Sequence, residues 1–144
     1  MMNTQTRPMK QVGKKMVLVV EDSPTQARFI RELLLKDDIH FVLAIDGEMG
    51  VCMAQSLQPD LIVLDLEMPK LDGREVFRRL RIMPETRNIP VIIFSRHSDP
   101  ELDALPEAGL VEYIPKDAFA GAVLMETLHQ MGLVGQSRFP FRDI

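Results

Sequence analysis

The chain has a single cysteine, Cys52, in 144 residues, so neither an intrachain disulfide nor a thiolate metal cage can be built from it. Set in "MGVCMAQ", that residue reads as a small core side chain. Long apolar runs are also missing. None approaches the roughly 20 residues that a membrane-spanning helix needs. The opening "MMNTQTRPMKQVGKK" has basic residues but no apolar segment of the kind a secretory signal carries. Nor is there an excess of positive charge: a net charge of −4 leaves no field for holding nucleic acid or an anionic bilayer surface. These absences leave proteins or small anions as the expected partners, with no nucleic acid and no membrane, in a reduced, cytoplasmic location.

What is present fits one domain with a substantial core. Residues 1–14 are polar and unpatterned and read as a flexible N-terminal tail; residues 15–133 form the expected domain; residues 134–144 form a C-terminal tail. Within the domain, short runs of strand character alternate with segments of helical period, the pattern of β/α units feeding a parallel sheet. The runs are "MVLVV" at 16–20, "FVLAI" at 41–45, "LIVLD" at 61–65, "VIIFS" at 91–95 and the weaker "LVEYI" at 110–114. Near-continuous apolarity in the central runs fits strands covered on both faces.

Helical stripes lie between them: Ala27, Ile30 and Leu34; Met53, Ala54 and Leu57; Val76, Phe77, Leu80 and Met83; Ala120, Leu124, Leu128 and Met131. The segment "HSDPELDALPEAG" differs. Pro100 suits a first helical turn, but Pro106 would remove a backbone donor and clash with the preceding turn, so this fourth helix is expected to be short or frayed.

In a parallel α/β sheet the loops leaving the carboxyl ends of the strands open on one edge, and polar residues there converge. Glu21 and Asp22 follow the first strand, Asp65 the third, Ser95 ends the fourth and Lys116 follows the fifth. Three carboxylates a few ångströms apart repel, and are stable together only with a cation between them or with raised pKa values. A hard divalent ion with oxygen ligands, with Mg²⁺ the expected one, resolves the conflict and commonly serves phosphoryl transfer. Asp65, at the tip of the most buried strand, is then the candidate acceptor of an acyl phosphate. Lys116 and Ser95 are placed to meet phosphate oxygens. Taken singly, each residue also has a plain structural account, as cap, helix-terminal acid or solvated charge.

With these motifs, "VVEDS", "LDLEMPKLDG", "FSR" and "YIPK", the chain resembles the receiver domains of two-component response regulators, in particular single-domain chemotaxis-type regulators, from about Lys15 to Leu133. The resemblance implies a flavodoxin-like, doubly wound five-stranded parallel sheet in order 2-1-3-4-5. It implies that Asp65 takes a phosphoryl group from a phosphohistidine on a sensor histidine kinase or phosphotransfer protein. Asp22 and Asp65 would ligate Mg²⁺, with Glu21 reaching it through water and the backbone carbonyl of Glu67 completing the shell. Ser95 and Tyr113 would form the switch that alters the face offered to a downstream effector protein, and His97 lies where the family tunes the phosphate's lifetime; Glu67 and Arg96 are further modulating positions, Arg96 as a screen of the acyl phosphate or a partner of Glu67. Such a protein is not an enzyme toward a separate metabolite; it catalyses only its own phosphorylation and dephosphorylation.

The sequence also departs from the family pattern. Arg96 stands where a small residue usually follows the strand-four hydroxyl, and Asp117 follows Lys116 where proline is common. A pseudo-receiver that binds partners without phosphate chemistry is therefore a rival reading, as is a phosphorelay intermediate. A Mg²⁺-dependent aspartate phosphatase is a third, disfavoured by Glu67 standing where its acid/base aspartate would be. No histidine, His40 and His129 included, suits donating phosphate. With no second domain expected after Leu133, the protein reads as a stand-alone receiver, with a homodimer among its expected partners.

Overall fold

The structure, a computed structural model, describes residues 14–96, 111–117 and 119–133. Its strands are β1 (Lys15–Val20), β2 (Ile39–Ala44), β3 (Leu61–Leu64), β4 (Val91–Ser95) and β5 (Val111–Pro115), and its helices α1 (Pro24–Leu34), α2 (Gly47–Leu57), α3 (Gly73–Ile82) and α4 (Ala120–Gln130). All strands pair in parallel in the order β2-β1-β3-β4-β5, as the resemblance implied. The expected short or frayed helix with Pro100 and Pro106 falls at residues outside those described, as do both tails apart from Lys14.

Every residue of β3 and β4 is buried. Successive side chains point to opposite faces, so such runs feed two cores at once. On one face Leu18, Val20, Ile62, Leu64 and Ile93 pack against Ala54 of α2 and Val76, Phe77 and Leu80 of α3. On the other, Val17, Val19, Val63, Ile92 and Phe94 pack against Ile30 and Leu34 of α1 and Leu124 and Leu128 of α4. Each fully buried aliphatic side chain contributes roughly 1.5–3 kcal/mol through this burial. The helical stripes read from the sequence supply these contacts, with Met53, Met83 and Met131 only partly buried at their margins.

Cys52 is a correction. It is exposed on α2. The buried residues of that helix are Gly47, Gly50, Ala54 and Leu57, a stripe at helical spacing that leaves position 52 on the outer face.

The helices start where side chains replace missing backbone partners. Ser23 Oγ accepts from the N–H of Gln26 with Pro24 opening the first turn of α1, Asp46 Oδ1 accepts from Met49 at 2.8 Å, and Asp72 Oδ1 accepts from Arg74 at 2.7 Å. All three caps lie in loops that follow strand ends or precede a helix on the site edge of the sheet, so capping also fixes the loops from which the site is built.

Candidate functional site

The carboxyl ends of β1, β3, β4 and β5 bring the expected side chains to one place. Glu21 and Asp65 are buried, Asp22 is the open member of the trio, and a carboxylate oxygen from each lies within 4.8 Å of the others. Ser95 ends β4 fully buried. Lys116, nine-tenths covered, places its Nζ 3.0 Å from Glu21 Oε1 and 3.4 Å from Asp65 Oδ1. It therefore bridges acids from two neighbouring strands.

Backbone geometry holds Asp65 firmly. Its N–H donates to Val20 O at 3.1 Å, continuing the β1–β3 pairing one residue past the strand, and its Oδ1 accepts from the N–H of Glu67 at 3.2 Å. The next residue, Leu66, is buried and accepts a hydrogen bond from Gly73 N at 3.0 Å. Gly73 has to be glycine here, because a Cβ would lie 2.5 Å from Leu66 Cα and collide with the Asp65 carbonyl. The glycine of "KLDG" thus lets the start of α3 press directly on the loop that carries the acid.

Lys116 is equally well set, in spite of the Asp117 that follows it. Its N–H donates to Ser95 O at 2.9 Å and Asp117 N–H donates to Pro115 O at 3.0 Å, while no cis peptide occurs among the described residues. The Phe94 ring lies 5.7 Å beneath the ammonium. In the sequence Phe94 reads only as one more apolar residue of β4; alternation puts it on the α1/α4 face. Tyr113 is half-buried and donates its hydroxyl to Ser95 O at 3.3 Å. Glu67 and Arg96 are exposed around the rim, and His97 lies outside the described residues.

Electrostatically the site is short of positive charge. Burial, followed by the Asp65 carboxylate, pushes Glu21 up to about 7, against the lowering influence of Lys116 and the Ser23 N–H. One ammonium does not neutralise three carboxylates. The donor set, all oxygen, with two members buried and one open to solvent, suits a hard divalent cation. What such a cluster can do chemically is hold that cation beside a rigid carboxylate and offer a lysine and a hydroxyl to an incoming anion.

A five-stranded parallel sheet wound on both faces, with an acid cluster at the carboxyl ends of its first and third strands and a lysine reaching in from the fifth, is the arrangement of the flavodoxin-like receiver domains. The family described as the response regulator receiver domain matches residues 17–129, and the chain belongs to it. It is 34% identical over 129 residues to hybrid signal transduction histidine kinase D of Dictyostelium discoideum, covering 88% of this chain and 8% of that protein. It is 34% identical over 112 residues to the response regulator Rcp1 of Synechocystis, covering 71% of this chain and 76% of that one. Among solved structures, the receiver domain of sensor histidine kinase PA1611 from Pseudomonas aeruginosa, determined with a magnesium ion coordinated in its active site cleft, superposes with a TM-score of 0.70 at 27% identity, covering 82% of this chain and 97% of that one. The chain spans under a third of the length of the hybrid kinase and of the bacterial methylesterases it also matches. It is a receiver domain of two-component signalling, a class whose general function is phosphoryl acceptance and whose members are not classical enzymes. No helix among the described residues is long and apolar enough to cross a membrane.

Proposed function

We propose that Asp65 accepts a phosphoryl group from a phosphohistidine of a sensor histidine kinase or phosphotransfer protein. A carboxylate oxygen of Asp65 attacks phosphorus, the P–N bond breaks, and the imidazole leaves with its electron pair and takes up a proton. Glu21, Asp22, Asp65 and the Glu67 carbonyl would hold Mg²⁺, which supplies charge neutralisation for the phosphoryl oxygens. Lys116 exchanges its ion pair with Glu21 for one with the phosphoryl group, and the Ser95 hydroxyl donates to another oxygen. The observation that carries this reading is the bridge of Lys116 Nζ between Glu21 at 3.0 Å and Asp65 at 3.4 Å, an ammonium already seated where the new anion would form.

The phosphorylated protein signals by binding an effector protein. Movement of Ser95 toward the phosphoryl group draws on its carbonyl, which Tyr113 grips, so the β5 face responds to events at Asp65. In this reading residues 15–133 are the receiver, residues 1–14 and 134–144 its flanking tails, the protein acts in the cytoplasm, and it can pair as a homodimer. Incubation with a small acyl phosphate and Mg²⁺, followed by intact-mass measurement, should show one added phosphoryl group in the native chain and none in Asp65→Asn. A native chain that gains no mass overturns the reading.

A further inference from the structure

Helix α4 ends in a backbone motif that turns the chain back. Gly132 adopts φ +77°, its N–H donates to His129 O at 3.0 Å, and Leu133 N–H donates to Leu128 O at 2.9 Å. Those two bonds, with a left-handed residue between them, form a Schellman cap. Its characteristic apolar contact is present as well: Leu133 packs on the core cluster that contains Leu128, on the face covered by α1 and α4. Residues that follow Leu133 therefore set out from the α1/α4 side of the molecule, from a point already pinned to it.

Among the described residues, that side carries an apolar groove. Between α1 and the start of α4 lies a groove of about 260 Å³ lined by Gln26, Phe29, Phe94, Lys116, Asp117 and Ala120 among others. A cavity of roughly 150 Å³ accepts a benzene ring, so this one admits a phenylalanine side chain with room to spare. Phe29 stands 41% exposed at its wall, and α4 approaches so closely at Gly121 that a Cβ there would lie 3.2 Å from the tip of the Phe29 ring. Apolar surface of this kind favours being covered.

The geometry points to an occupant from within the chain: the segment "SRFPFRDI", residues 137–144, lying back along the α1/α4 seam with Phe139 or Phe141 in the groove. Length agrees. The 11 residues of α4 rise about 16 Å, and the six residues from Leu133 to Phe139 span roughly 20 Å when extended. Composition agrees too. Of the two ends outside the described residues, 1–13 holds no aromatic residue, whereas 134–144 holds Phe139 and Phe141 around Pro140, whose fixed φ favours an extended run. Charge is complementary, since Arg138 and Arg142 flank those rings and Asp117 stands exposed at the rim. Docked there, the segment covers the approach to the Phe94 ring and the stem of Lys116. This inference needs no phosphoryl chemistry, so it stands or falls apart from the proposal for Asp65.

Amide NMR of the full chain against Phe139→Ser/Phe141→Ser tests it. Expected are shifts at Gln26, Phe29, Lys116, Asp117 and Gly121 with Val51 and Ile82 unchanged, and a reciprocal perturbation of residues 139–141 in Phe29→Ser. Unchanged amide positions at Val51 and Ile82 show that the variant keeps its fold. Changes confined to residues 134–144 overturn the inference. So do groove shifts that vanish on dilution while sedimentation shows a dimer, which would make a second copy the occupant.

Discussion

Tyr113 donates its hydroxyl to the backbone carbonyl of Ser95 at 3.3 Å, and the same carbonyl accepts the N–H of Lys116 at 2.9 Å. One oxygen thus ties together the hydroxyl-bearing residue of β4, the aromatic residue of β5 and the lysine of the acid cluster. Removing the phenol oxygen leaves the ring packed and the carbonyl still partnered, so Tyr113→Phe should destabilise the fold by only about 0.5–1 kcal/mol. Urea denaturation measures this. If Tyr113 links Ser95 to the β5 face, the variant should also accept phosphate at a near-native rate while binding its effector less tightly.

Lys116→Met tests the bridge. It leaves Glu21 and Asp65 buried without their ammonium, and breaking a buried pair in this way costs roughly 3–5 kcal/mol at pH 7. Protonation of Glu21, whose carboxyl is pushed up to about 7, relieves the repulsion, so the loss should shrink as pH falls toward 5. Thermal unfolding at the two pH values, with added Mg²⁺ as a second arm, checks both the size and the direction.

For the metal-free native protein, Glu21 sets a pH dependence whose sign follows from its pKa. The carboxyl ionises near 4.5 in the unfolded chain and about 7 in the fold. Between those values the folded state binds more protons than the unfolded one, so stability falls as pH rises through that window. The loss is on the order of 1–3 kcal/mol from pH 5 to pH 8. Glu21→Gln should flatten the slope, and saturating Mg²⁺ should stabilise the native chain more at pH 8 than at pH 5. A stability that climbs from pH 5 to pH 8 without metal contradicts this.

Gly73→Ala drives a methyl group into the backbone of Asp65 and Leu66, atoms that cannot step aside as a flexible side chain would. A loss of at least about 3 kcal/mol is expected, typical of strain with no easy relief. Gly121→Ala makes the contrast. There the nearest atoms to the new methyl belong to the Phe29 and Leu33 side chains at 3.2–3.6 Å, and the substitution lies inside a helix, where alanine is favoured by about 1 kcal/mol. It should be neutral or stabilising in the same denaturation assay.

Much of this architecture was legible because the informative residues act locally. Strands such as "LIVLD" announce burial on both faces through composition alone, and acids at strand ends converge once the sheet is parallel. β2 begins two residues before its apolar run at Phe41, since His40 interrupts the run while its backbone still pairs beside Met16. Cys52 is exposed against the burial habit of free cysteine because its position falls off the α2 stripe of Gly47, Gly50, Ala54 and Leu57. Phe94 beneath Lys116, and Glu21 rather than Asp65 as that lysine's nearer partner, could not be read at all. Both depend on side-chain reach across the sheet, which no spacing along the chain encodes.

The Glu21–Lys116 contact joins residues 95 positions apart, and β1 lies between β2 and β3 in the sheet. Closing so long a loop is entropically expensive and contributes nothing until most of the intervening chain has found its place. During synthesis β1, β2 and β3 can pair well before Lys116 leaves the ribosome, yet the acids at their tips then face one another with no ammonium to offset them. Completion of the cluster therefore waits on docking of the fifth strand, and the bridged geometry at Asp65 belongs only to molecules in which it has docked.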